Sequence, residues 1–126
     1  MQTITGSCHC GINTFSVEAE PSFQFVCYCT NCRVLNSGGH LCGVMFDEET
    51  FKPAQEVQEY SFEGGSGKSV DLNFCPKCGT HLYAFPRSVP GKVVIRANTI
   101  DEAVFSPNQE LFPESKFKWD AGVSND

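Results

Sequence analysis

Eight cysteines constrain this chain more than any other feature, because seven of them fall in three short clusters. "CHC" covers Cys8–Cys10, "CYCTNC" covers Cys27–Cys32 and "CPKC" covers Cys75–Cys78, while Cys42 stands alone in "HLCGVMF". The opening "MQTITGSCHCG" lacks a basic region followed by an apolar one, so it does not read as a secretory signal and a cytoplasmic protein is expected. In a reducing compartment, closely spaced cysteines read as metal ligands rather than disulfides.

Each spacing implies its own geometry. In "CPKC" the two intervening residues turn the chain so that both sulfurs face one point, and Pro76 and Gly79 suit that turn. A redox C-x-x-C would lead from a strand into a helix, whereas "THLYAF" here is strand-like. "CHC" is expected on an extended strand, where residues i and i+2 share a face and His9 points the other way. Pairing Cys8 and Cys10 with Cys75 and Cys78 gives four thiolates, a closed tetrahedral zinc site clamping the first strand to a late hairpin. Iron is the alternative occupant of such a set.

The cluster Cys27, Cys29 and Cys32 offers three ligands. Cys42 reads either as a small core residue or as the fourth ligand. Without it, the site keeps one position for water or substrate, the mark of a reactive rather than structural zinc, which sulfur would suit. A short helix over "TNCRVLNS", capped by Thr30 and ended by Gly38, would place Cys32 in its first turn, where the helix end favours thiolate.

The remaining pattern is β-rich. "TFSVEA" aligns Phe15, Val17 and Ala19; "FQFVC" aligns Phe23, Phe25 and Cys27; "VDLNF" aligns Val70, Leu72 and Phe74. "EVQEYSF", "THLYAF" and "KVVIRA" are further strands, and "EGGSGK" reads as a hairpin tip. "TIDEA" has Thr99 and Glu102 at capping-box spacing for a short helix. From about Pro107 the chain is polar and loop-like, and Phe112, Phe117 and Trp119 are expected to pin it to the body. A length of 126 residues suits a single domain over 1–126. The net charge of −6, with nine scattered basic residues, argues against nucleic acid, and no apolar run is long enough to span a membrane.

Read in order, "GSCHCG", "CYCTNCR", "FCPKCGTHLY", "ANTID" and "SKFKW" resemble the glutathione-dependent formaldehyde-activating enzyme family, whose domain is shared with centromere protein V. The resemblance covers nearly the whole chain. It implies a mainly β fold of the Mss4-like type, a structural zinc at Cys8, Cys10, Cys75 and Cys78, and a second zinc at Cys27, Cys29 and Cys32. The implied activity is that of a carbon–sulfur lyase of the S-hydroxymethylglutathione synthase type, acting on a small thiol adduct of formaldehyde. Two positions depart from the family's pattern. Glu110 stands where members often carry His, which would put a carboxylate where a ligand is positioned. Asn98 stands where many carry Gly, and Asn tolerates a left-handed backbone there.

In the enzyme reading, Cys27, Cys29 and Cys32 hold the reactive zinc, Arg33 binds a glutathione carboxylate, and His40 and His81 are the candidate proton carriers. The rival is a non-catalytic zinc module for protein interaction or chaperoning, favoured if Cys42 closes the second site. A third reading is thiol or metal buffering.

Overall fold

Alternating apolar residues build most of the strands, and their pairing sets where the cysteines meet. The computed structural model describes residues 2–120. The strands are β1 (Thr3–Ser7), β2 (Thr14–Glu18), β3 (Phe23–Cys27), β4 (Leu41–Asp47), β5 (Gln58–Glu63), β6 (Ser69–Phe74), β7 (His81–Pro86), β8 (Lys92–Arg96) and β9 (Gln109–Leu111). One helix, α1 (Thr30–Asn36), joins β3 to β4. β1 and β2 form an antiparallel ribbon, and the other strands form a seven-stranded sheet in the order β5-β6-β7-β8-β4-β3-β9. Within it only β3 and β9 run parallel. The fold is therefore mainly β, as expected. Among the described residues no helix is long and apolar enough to cross a membrane.

The pairing register divides the large sheet into two faces. Cys42, Val44, Phe46, Val93, Ile95 and Tyr83 share one face. The ribbon lays Ile4, Phe15 and Val17 on it to form the main core. Tyr83, Phe51 and Phe85 meet edge to face there, with the Phe51 and Tyr83 rings 4.7 Å apart. The Tyr83 hydroxyl accepts the Ala54 N–H at 2.9 Å, so this buried phenol is satisfied. The opposite face carries Phe25, Cys27, Leu41, Val94 and Arg96. Gly43 lies opposite Phe25, whose ring comes within 2.6 Å of where a Cβ would stand, so only glycine admits that ring.

Several expectations need correction. "CHC" is a turn between β1 and β2, not extended strand: the Gly11 N–H donates to the Cys8 carbonyl at 3.1 Å, with Gly11 at φ 84°. α1 is capped by Cys29, not Thr30, because the Cys29 sulfur accepts the Cys32 N–H at 3.4 Å. Thr30 instead accepts from Arg33 Nη2 at 3.3 Å. The left-handed residue after α1 is Ser37, at φ 53°, rather than Gly38. In "TIDEA" Thr99 ends one 3-10 turn and the next begins only at Glu102, so Thr99 is not the cap of a helix. The Thr99 hydroxyl donates to the Arg96 carbonyl, and Asp101 accepts the Ala103 N–H at the next 3-10 turn. Asn98 sits in the 3-10 turn Ala97–Thr99 and has no left-handed backbone.

"VDLNF" is expected to align Val70, Leu72 and Phe74 on one face. β6 is interior and buries Asp71, Leu72 and Asn73 from both faces, and a register shift intervenes between Asn73 and Phe74. Asp71 is the informative member. Its carboxylate accepts from the Ser61 hydroxyl at 2.7 Å and from Arg87 Nε at 2.6 Å. The Ser61 hydrogen bond, with the Arg87 charge, outweighs burial and holds this carboxyl below its usual range. A depressed folded value means stability that is present above the unfolded carboxylate pKa of about 3.9 and is lost as pH falls through the folded value. Asp71→Asn should therefore cost about 1–3 kcal/mol at pH 7. The gap from wild type should shrink below about pH 4, measured by urea unfolding at both pH values.

Candidate functional site

The Sγ atoms of Cys8, Cys10, Cys75 and Cys78 lie within 4.8 Å of one another and could hold a metal ion. Cys8 and Cys10 are 3.5 Å apart and Cys10 and Cys75 3.7 Å. A tetrahedral ion with metal–sulfur bonds of about 2.3 Å requires sulfur–sulfur edges of roughly 3.8 Å, so the donor set fits. The "CPKC" knuckle closes by the Gly79 N–H donating to the Cys75 carbonyl at 2.8 Å, with Gly79 at φ 82°, a conformation that favours glycine.

Two residues that the sequence reading missed support these sulfurs. The Thr80 hydroxyl lies 3.2 Å from the Cys78 sulfur and accepts the His9 N–H at 3.1 Å, so it ties the two halves of the site together. Its contact is the foremost reason that the Cys78 thiol is pulled down to about 5. Asn13, fully buried, donates its backbone N–H to the Cys8 sulfur at 3.4 Å and accepts the Glu56 N–H at 2.8 Å. Such second contacts orient ligands and offset thiolate charge. His9 is exposed and outside the sulfur group, as expected.

Cys27, Cys29 and Cys32 form a second group whose sulfurs also lie within 4.8 Å of one another. Strand parity decides the question of a fourth ligand. Cys27 pairs with Leu41, so the next residue, Cys42, points to the other side of the sheet and packs against the main core. The hydrogen bond from Cys32 lowers the Cys27 thiol to about 6, and the same contact pushes Cys32 upward. Packed thiols share protons, and one ionises at its neighbours' expense.

Tyr28, between two of these cysteines, is buried and held from several sides. Its backbone N–H donates to the Leu111 carbonyl at 3.0 Å, and its hydroxyl donates to Glu110 Oε2 at 2.8 Å. Lys116 Nζ reaches the same carboxylate at 3.3 Å and lies 4.7 Å from the Tyr28 ring centre. Glu110 thus helps fasten β9 to β3, with Oε2 engaged by Tyr28 and Lys116. The C-terminal stretch is held by this pairing and by Asp120, whose carboxylate meets His40 Nδ1 at 2.8 Å. Phe112, Phe117 and Trp119, expected to pin the segment, are exposed. Phe117 instead stacks on Trp119 at 5.0 Å and carries the Arg33 guanidinium 4.1 Å above its ring.

A cleft of about 810 Å³ runs from Cys8 and Thr80, past His81 and Arg96, to Leu41 and the end of α1. His40 also lines it. A smaller groove of about 340 Å³ holds Arg33, Phe117 and Trp119, and the two meet at Ser37 and Gly38. Burial, with the nearby Arg96 charge, pushes the His81 imidazole below the usual histidine range. Arg96 is the principal residue missed from sequence; its signal was one arginine closing the apolar run "VVI".

Comparison with known proteins bears on this geometry. The family model described as "Glutathione-dependent formaldehyde-activating enzyme" matches residues 3–116. A Halomonas elongata protein named "Putative glutathione-dependent formaldehyde-activating enzyme" is 30% identical over 123 residues, spanning 92% of this chain and 78% of that protein. A crystal structure of a Rhodobacter sphaeroides protein matches with a TM-score of 0.64 at 20% identity, covering 84% of this chain and 98% of the other, a likeness of fold. The cysteine clusters of this chain therefore lie inside a match that runs almost end to end, and the chain belongs to the glutathione-dependent formaldehyde-activating enzyme family.

Proposed function

We propose that this protein is a zinc-dependent enzyme that makes and breaks the carbon–sulfur bond between glutathione, or a related small thiol, and formaldehyde. The observation that carries this reading is the three-cysteine group without a fourth sulfur among the described residues, on the sheet face whose Leu41, paired with Cys27, and Arg96 line a large cleft. In the forward direction the thiol sulfur bonds to the formaldehyde carbon, the carbonyl π bond breaks, and the thiol proton ends on the new hydroxyl oxygen. The reverse direction returns thiol and aldehyde.

Cys8, Cys10, Cys75 and Cys78 would hold a structural zinc, and Cys27, Cys29 and Cys32 a second, reactive one. Zinc bound by three thiolates supplies a Lewis acid and a seat for soft sulfur. Tyr28 fixes the backbone that carries Cys27 and Cys29 through its bonds to Glu110 and Leu111. His81, kept neutral by burial and by Arg96, is the proposed proton acceptor, because a neutral imidazole near pH 7 can take a thiol proton. His40, oriented by Asp120, is the second proton carrier on the same cleft. Arg33, held above Phe117, contacts the outer end of the tripeptide.

Two outcomes are expected. The isolated protein should carry two zinc ions, one lost readily to chelator and one retained, as followed by elemental analysis during chelator titration. Cys75→Ser should lower the melting temperature severely, Cys29→Ser should remove the labile ion with little loss of fold, and Cys42→Ala should leave metal content unchanged. Equal unfolding of the Cys75 and Cys29 variants would contradict the division of roles.

In cobalt-substituted protein, glutathione should change the absorption of the three-cysteine site and leave the four-cysteine site unaltered. Its binding should weaken as pH falls, since protons compete for every sulfur involved. Absence of any spectral response to thiols would overturn the enzyme reading.

A further inference from the structure

Arg96 is buried beyond what its surroundings justify. It ends β8 after three buried apolar residues and is 8% exposed. Its Nε is fully buried and has no hydrogen-bond partner among the described residues. None of the ion pairs among the described residues engages it. A buried charge is costly unless paired and hydrogen-bonded, and guanidinium stays charged at any physiological pH. Ionised sulfur at the neighbouring cysteine group, Cys32 and Cys27, offsets part of the burial cost, but the planar fork of donors keeps its demand for acceptors.

The position gives that demand a direction. Arg96 lies on the sheet face that carries Cys27 and also lines the large cleft together with Thr80 and His81. It therefore stands between the three-cysteine group and open space large enough for a peptide-sized ligand. The acceptor that matches a guanidinium fork is a carboxylate, bound through two parallel hydrogen bonds.

We propose that Arg96 is the specificity-determining residue of this site. It binds a carboxylate of the substrate in the cleft and selects carboxylate-bearing thiols over neutral ones of similar size. The inference rests on the thiol-adduct reading for the identity of the substrate. A neutral thiol would leave a buried donor set unpaired, and sites built around such groups discriminate strongly against analogues that lack the partner. Arg33 faces a separate groove and would meet a different part of the ligand.

The test uses S-methylglutathione, which keeps both carboxylates and cannot offer a thiolate, titrated calorimetrically into the metal-replete protein. Wild type should bind it, and Arg96→Gln should bind it about tenfold or more weakly, the loss expected for a charged hydrogen bond. Arg96→Lys should fall between them, since it keeps the charge without the fork. Binding of 2-mercaptoethanol, read from the cobalt spectrum, should be weakened by Arg96→Gln far less than binding of S-methylglutathione.

Should Arg96→Gln fail to fold, Asn98→Asp gives an independent reading. Asn98 is exposed and lines the same cleft, so a carboxylate there should weaken the tripeptide several-fold and spare 2-mercaptoethanol. The proposal is overturned if wild type does not bind S-methylglutathione. It is also overturned if neither variant changes that binding, or if Arg96→Gln weakens neutral and anionic thiols alike. Arg96-dependent binding of S-methylglutathione without any spectral response to thiols would sink the thiol-adduct reading and leave the carboxylate site standing.

Discussion

The meeting of four sulfurs from segments some 65 residues apart is the constraint on which the rest of the structure depends. Among the described residues the β1–β2 ribbon shares no strand pairing with the seven-stranded sheet, and Ser16 only bridges to Lys52 in the segment between β4 and β5. It is held by the core under Ile4, Phe15 and Val17, and by the turn that brings Cys8 and Cys10 to Cys75 and Cys78. Thiols packed this closely repel one another once ionised, so the junction is stable only with their charge neutralised. A cation there would convert the repulsion into a clamp. Thr80 and Asn13 serve the same end, since each meets a sulfur while fastening a separate segment.

Strand parity then separates stability from chemistry. One face of the large sheet is closed by the ribbon and filled with aromatic and branched residues. The other carries Cys27 and Arg96 at neighbouring positions on β3 and β8, linked through Leu41 and Gly43 of β4. A shift of one residue in β4 would exchange Leu41 for Cys42 and turn a three-sulfur group toward a four-sulfur one. The open group is thus a product of register as much as of cysteine count, and spacing along the sequence alone could not decide it.

The sequence made much of this legible, for definite reasons. β2, β3, β5, β7 and β8 show two-residue alternation or β-branched and aromatic runs, and both short cysteine spacings imply shared ligation. β1 was hidden because its inner face needs only Ile4 and a glycine: a Cβ at Gly6 would lie 2.3 Å from the Phe15 ring. β4 is buried on both sides, so it reads as an apolar stretch without period. β9 is three residues long and owes its form to pairing with β3. The caps of α1 went to Cys29 and Ser37 because a ligand sulfur can also accept a backbone N–H, a role that the preference for Thr at such positions does not anticipate. Arg96 and Thr80 matter through partners distant in sequence, which no local pattern reports.

Glu110 shows how a departure from a family pattern can leave the site's electrostatics intact. A carboxylate close to anionic sulfurs would disfavour an anionic ligand if it were free. Here the Tyr28 hydroxyl, followed by Lys116, holds Glu110 ionised below the usual carboxylate range, and both donors meet the one oxygen Oε2. Its charge is offset on the spot by Lys116, and its hydrogen bonds draw β9 and the Tyr28 backbone together. The cleft is left with Arg96 as its buried cation, beside a histidine that burial, with the same cation, pushes below the usual range. In a protein of net charge −6, that concentrates the attraction for an anion at one point in the cleft rather than spreading it over the surface.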